Sequence, residues 1–344
     1  MGIKAHTEFQ KLKTVLIGRG LPSTIVKNPY MRSKLSPSTK RLLVDLLDET
    51  EEDYQNLAKI CTDFGAKVIR PEYSIKWESE DIEFTPYLMN PRDDLIVLDN
   101  KLVCAQEALI TSVDYLYPLQ KYKNRIVRNS KTYNLMPPSI VRLGKDIIID
   151  RQRDMKSNDP ESVEYLKSWL EPLGYNIIYL TTHNFQFKAN ISHADGVFSV
   201  LKPGVILTCL EAEGYTKNIF KDWDAFQVEP AFESMKKWNI YQNDTKSYLF
   251  KDSKYIDDVW NQTITTWFSD WVGYAKETLF DVNCLSLDEN HVIVSHYRKE
   301  VFDYFKKHKI EPIICPVRHR FFWDGGVHCM SLDLEREGNC EQYL

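Results

Sequence analysis

Hydrophobic and polar positions along the chain follow two periods in turn. Over residues 57–64, 163–173 and 301–308, apolar side chains recur every three to four positions, which predicts three amphipathic helices. Each is followed by a short break and then a β-rich run, at 67–71, 176–180 and 313–316. Gly65 and Gly174 sit in two of the breaks, where a helix end favours a residue that accepts positive φ. Further β-branched runs at 14–17, 95–98, 147–149, 205–207 and 292–294 are bounded by Gly, Pro, Asp or Asn and read as short strands. A set of related strand–helix units in one chain predicts an internally repeated α/β architecture, with an ordinary mixed α/β sheet as the alternative.

Residues 213–275 interrupt this rhythm. Trp223, Trp238, Trp260, Trp267 and Trp271 are interleaved there with Asp, Lys and Asn, and aliphatic runs are few. The stretch reads as an insertion packed by its own aromatics or as a lid, with packing the simpler account because large aromatics are ordinary core material. No Pro/Gly/Ser-rich linker divides the chain, so a single domain over 1–344 is expected.

Composition narrows the function classes. Apolar residues make up 43% and charged residues 27%, as in an ordinary globular protein. The formal charge is −5 and no dense Lys/Arg run exists, which argues against nucleic acid as a partner. Lys306-Lys307-His308-Lys309 is the densest basic stretch and reads as the solvated face of a helix. No apolar run of membrane-spanning length is present, so no membrane partner is expected. Met1-Gly2-Ile3-Lys4-Ala5-His6 lacks the apolar core of a signal peptide, and His6 breaks the myristoylation pattern. The seven cysteines form no CxxC pair and mostly sit in apolar runs, so a reducing cytoplasm is the expected location. The eight histidines are scattered without ligand spacing, and Gly18-Arg19-Gly20 lacks the helix opening of a phosphate loop. Neither a metal nor a cofactor is expected.

Three polar clusters lie beside strand runs: Asn90-Pro91-Arg92-Asp93-Asp94, His193-Ala194-Asp195-Gly196 and Asp324-Gly325-Gly326-Val327-His328-Cys329. Taken singly, each has a structural explanation: a turn, a loop hydrogen bond, a buried cysteine after a glycine turn. The last is the most informative, because two glycines allow close approach of a ligand to a thiol that becomes a nucleophile once its pKa is lowered.

In order, these segments resemble the glycine amidinotransferases. Residues 8–19 are similar to the family's opening strand, and Met89-Asn90-Pro91-Arg92-Asp93 to its Pro-Arg-Asp motif. His193-Ala194-Asp195, with Phe198 and Pro203-Gly204-Val205 following, resembles its His-x-Asp segment, while 282–289 and 325–333 look like its last two modules. The resemblance implies the pentein fold, a five-bladed α/β propeller whose active site lies near a pseudo-fivefold axis. It also implies chemistry on guanidino groups. Asp93 and Asp195 would grip a guanidinium, Cys329 would attack its carbon, and His193 would act as general acid and base. An amine acceptor then makes the protein an amidinotransferase acting on arginine; water makes it a deiminase or dihydrolase. No cofactor is implied, and a homodimer is compatible with the resemblance although no interface patch can be read.

The sequence departs from the family in three places. The family's Phe-Asp-Ala-Ala-Asp segment is matched by 134–146, where Met136 stands at the position of the aspartate that orients the catalytic histidine and Ser139 replaces the second aspartate. This is the feature that favours a third reading, a non-catalytic descendant that binds a guanidino or amine ligand. The arginine expected after the Pro-Gly-Val strand is missing from 209–213, which leaves Arg318 and Arg320 as candidates to hold a substrate carboxylate. On the acceptor side a Ser-Ser pair becomes Lys276-Glu277, so glycine is not expected as the acceptor.

Overall fold

The computed structural model describes residues 2–27, 37–73, 88–105, 117–128, 135–152, 158–182, 193–209, 218–228, 281–323 and 325–344. Among them, five three-stranded sheets repeat one pattern: two antiparallel strands, then a third strand parallel to the middle one. The sheets are β3 (Leu95–Leu98), β4 (Lys101–Cys104) and β5 (Ile126–Arg128); β6 (Ile140–Leu143), β7 (Asp146–Gln152) and β8 (Asn176–Thr182); β9 (Phe198–Lys202), β10 (Val205–Cys209) and β11 (Asp224–Val228); and β12 (Leu285–Asp288), β13 (His291–Val294) and β14 (Glu311–Ile314). The fifth joins the two ends of the chain. There β1 (Lys11–Ile17) pairs antiparallel with β15 (Ser331–Glu337) and parallel with β2 (Lys67–Ile69). The repeat predicted from the sequence is therefore present, and each of the five predicted β-branched runs falls inside the middle or first strand of a sheet.

Parallel neighbours need a crossover, and helices supply three of them: α1 (Pro37–Asp63) between β1 and β2, α2 (Pro160–Leu170) between β7 and β8, and α3 (Lys299–Lys307) between β13 and β14. Helix α2 starts at Asp159, whose carboxylate accepts from the Ser162 N–H at 2.8 Å with Pro160 in the first turn. After a short 3-10 turn it stops at Gly174, which takes φ +88°. Helix α1 is far longer than the predicted 57–64. Its acidic middle hides the period, but Leu43, Leu46, Leu47, Tyr54, Leu57 and Cys61 are all buried along one face, in one cluster with Val15, Ile17, Leu285 and Ile293.

The aromatic stretch at 213–275 is corrected in part. Its residues 224–228 are β11, which pairs with β10 in parallel register and so belongs to the repeat rather than to an insertion. Just before it, Phe220 is fully buried and packs on Phe198 and Trp223 at ring distances of 5.5 and 5.0 Å. Trp238, Trp260, Trp267, Trp271 and Lys276-Glu277 lie outside the described residues. No described helix is long and apolar enough to cross a membrane.

Candidate active site

The nucleophile candidate sits in a tight turn entering β15. Cys329 is buried, and its sulfur lies 3.0 Å from Asn283 Nδ2 and 3.5 Å from Asp195 Oδ2. The same Asp195 oxygen is 2.8 Å from His328 Nδ1, so one carboxylate oxygen faces both the thiol and the neighbouring imidazole. Asp195 Oδ1 is buried and has no hydrogen-bond partner among the described residues. Burial pushes the Asp195 carboxyl up, but His328, His193 and Arg92 more than offset this and hold it below the ordinary range.

Asp195 reaches this position from a short turn, Ala194–Gly196, that opens into β9. His193 occupies the extended position before that turn, half-buried, near enough for its charge to help keep Asp195 ionised. The Pro-Arg-Asp segment is a second short turn, Pro91–Asp94, leading into β3. It is brought against the nucleophile loop by its neighbours: the Asn90 side chain lies 3.6 Å from where a Cβ at Gly325 would be, and Cys329 Cβ lies 3.5 Å from the same point. The Asp93 N–H donates to Asn90 O within the turn, and its carboxylate is half-buried. Burial alone pushes Asp94 up to about 7.

Arg92 does a different job from its neighbour. Its Nε donates to the carbonyls of His328 and Ser331 at 3.2 and 3.1 Å, clamping the backbone on either side of Cys329. Its Nη2 donates to Asp333 at 2.7 Å. Asp333 also accepts from Arg142 at 2.6 Å and Arg336 at 2.8 Å, while Arg142 holds Glu8 with two 2.8 Å bonds. Glu8 in turn lies 3.7 Å from His328 Nε2. Three buried arginines thus meet two buried carboxylates, Asp195 and Asp333, and the mostly buried Glu8, so the floor under Cys329 is close to neutral. Burial pushes Glu8 and Asp333 up, yet the arginines carry both below the ordinary carboxylate range.

A pocket of about 440 Å³, counted out to its open mouth, adjoins this floor. Glu8, Asp195 and His328 supply its polar side, and Pro137, Pro138, Phe198 and Val282 its apolar side. Met136 precedes the two prolines. Asn158 braces its backbone, accepting from the Met136 N–H at 2.9 Å and donating to its carbonyl at 3.4 Å. Ser139, the other departure, is buried at the end of the same turn.

The structure brings Cys329, Asp195 and the turn carrying Asp93 together, with His193 beside them. It does not bring Arg318. That guanidinium is 38% exposed and pairs with Asp53 and Glu52 of α1, each at 2.8 Å. Arg320 donates to the Val317 carbonyl at 3.2 Å; burial lowers its pKa while the charge of Asp281 opposes that. Asn283, His328, Glu8, Arg142 and Asp333 escaped the sequence reading as site residues. Their signal was faint: each lies inside a segment that carries the resemblance, but burial of a charge cannot be read from type alone. Burial pushes Cys284 up to about 11 and both Cys61 and Cys315 to about 12, as expected of inert core cysteines.

No family model matches the chain. It is 24% identical to the mitochondrial glycine amidinotransferase of Xenopus laevis over 400 aligned positions, covering 99% of this chain and 84% of that protein. Among solved structures it resembles an amidinotransferase from Microseira wollei in the saxitoxin biosynthetic pathway, with a TM-score of 0.67, 19% identity and 99% of each chain covered. It also resembles the N-terminal domain of a cyanobacterial arginine dihydrolase, with a TM-score of 0.60, 11% identity and 95% and 98% coverage. The sequence is thus similar end to end to an amidinotransferase, and the α/β pentein fold expected from that resemblance is the fold of this chain.

Proposed function

We propose that the protein is an amidinotransferase that moves the amidino group of L-arginine to an amine other than glycine through a covalent amidino-cysteine on Cys329. The observation that carries this reading is the approach of the Cys329 sulfur to within 3.5 Å of a buried carboxylate, Asp195, whose other oxygen is unpartnered among the described residues. A buried carboxylate with a vacant oxygen receives a planar cation with N–H donors, and a guanidinium is such a cation. Asp195 and Asp93 would hold it with its carbon over the sulfur.

In this mechanism the Cys329 thiolate attacks the guanidino carbon, forming a C–S bond and a tetrahedral adduct. The C–N bond to ornithine breaks as His193 gives its proton to the departing nitrogen. The acceptor amine then attacks the amidino carbon, His193 takes back a proton, and the C–S bond breaks to release the thiolate. Met136 supplies no carboxylate to orient His193; Asp195, whose charge interacts with His193 and whose oxygen faces Cys329, supports the imidazolium electrostatically. We read the five sheets as five blades of one pseudo-fivefold domain closed by the β1–β15 pair. The second reading is hydrolysis at the same thiol, favoured by the shared fold of an arginine dihydrolase.

Mass spectrometry after incubation with arginine and an acid quench tests both. An amidine adduct on Cys329 is expected together with an equivalent of ornithine and, once a suitable amine is added, transfer of the amidine to it. Ammonia with citrulline or ornithine, and no dependence on amine, would favour hydrolysis. No adduct and no arginine turnover would overturn both in favour of a non-catalytic ligand-binding protein.

A further inference from the structure

Asn283 precedes β12 in a turn where the Cys284 N–H bonds to the Val282 carbonyl, and its side chain is buried against the nucleophile loop. Its Oδ1 lies 3.1 Å from the His328 backbone nitrogen and 3.2 Å from the Cys329 backbone nitrogen. Backbone N–H groups only donate, so the atom facing them is the acceptor oxygen, and this decides the orientation of the amide. The NH₂ group must then be the end that faces Cys329 Sγ, at 3.0 Å. Gly326 makes the approach possible: a Cβ there would fall 2.7 Å from Asn283 Oδ1 and 2.9 Å from the Asn283 carbonyl.

We propose that Asn283 is a catalytic residue that stabilises the Cys329 thiolate by donating a hydrogen bond to its sulfur, while its oxygen pins the two backbone N–H groups that set the direction of that sulfur. The proposal rests on the reading of Cys329 as the nucleophile and adds a residue to it. A donor to sulfur favours the charged form of the thiol, because the amide dipole replaces water that burial has removed. Among the groups that act on Cys329 are Asp195, which accepts from the thiol and opposes its ionisation; His328, His193 and Arg92, which moderate Asp195; and Tyr54 on α1. Asn283 is the neutral donor of the set, so its contribution does not depend on pH and is present before any substrate binds.

The test is the pH dependence of alkylation of Cys329 by iodoacetamide, read on its own peptide by mass spectrometry, in the wild type, Asn283→Ala and Asn283→Asp. Removing the donor is expected to raise the midpoint by about one pH unit, which slows alkylation about tenfold on the acid side of the curve. Asn283→Asp keeps an acceptor for the two backbone N–H groups but sets a carboxylate beside the sulfur, and a rise at least as large is expected. Should Asn283→Ala fail to fold, Asn283→Leu, of similar size and without a donor or a charge, carries the test. A midpoint that stays in place in the folded variants overturns the proposal. Alkylation needs no arginine, so an unchanged midpoint alongside normal arginine labelling removes the role of Asn283 only, whereas a shifted midpoint with no arginine adduct in the wild type removes the transferase reading only.

Discussion

Two arginine–carboxylate clusters in this protein look alike on paper and differ in what surrounds them. One lies under the nucleophile loop, where Arg92, Arg142 and Arg336 share Asp333 and Glu8, all but Glu8 at most 4% exposed. The other lies on α1, where the half-exposed Arg318 meets Glu49, Glu52 and Asp53. In the first, water has been replaced by opposite charges, so each carboxylate stays ionised despite burial, and losing one strands the arginines. In the second, solvent screens the pairs with Glu49 and Glu52, whose long side chains give up entropy to meet Arg318, while Asp53 is 8% exposed. Identical residue types therefore build the floor of a candidate active site in one place and decorate a helix in the other.

Asp333→Ala is the sharpest way to break the comparison. It leaves three buried guanidinium groups with one fewer carboxylate, and a loss of about 3–5 kcal/mol in urea unfolding is expected. A loss below 1 kcal/mol would mean that the buried cluster is as dispensable as an exposed one. Glu8→Gln comes next, since it keeps the shape and removes one charge-assisted pair with Arg142; a loss of about 1.5–3 kcal/mol is expected at neutral pH.

The same variant carries a pH signature. Glu8 and Asp333 are held below their unfolded values, so their stabilisation is present above the ordinary carboxylate range and is lost as pH falls through the folded values. Glu8→Gln should accordingly flatten the acid side of the stability curve. Asp53 has the opposite sign: burial raises it despite Arg318, so its contribution is greatest in acid and declines as pH rises through its folded value. Arg318→Ala is the smallest expected effect, under about 1 kcal/mol in thermal or urea unfolding. A larger loss would place the α1 cluster in the same class as the buried one.

Much of the architecture was legible because local rules and the fold agree. Gly174 ends a helical unit by taking positive φ, and the runs at 95–98, 205–207 and 292–294 became strands where β-branched residues meet turn formers. Helix α1 was underread because acidic residues on its outer face masked a period that only its buried face shows. The strand at 224–228 was underread for a related reason: Val228 is its one buried side chain, and Asp224 and Gln227 interrupt the apolar alternation.

The site divides along a different line. Cys329, His193, Asp195 and Asp93 could be marked from sequence because their segments resemble a family in order. Asn283 could not be placed against the sulfur, nor Arg318 paired with α1, by the same means. By itself the sequence determined which segments become helices and strands, that one thiol follows a Gly-Gly turn, and that carboxylates lie beside strand runs, since these depend on neighbours along the chain. Which carboxylate faces that thiol, which amide bonds to it, and which arginine is buried beneath it rather than held by α1 were decided only by the tertiary structure. Those contacts join residues tens to hundreds of positions apart, and their worth depends on how much water the packing excludes.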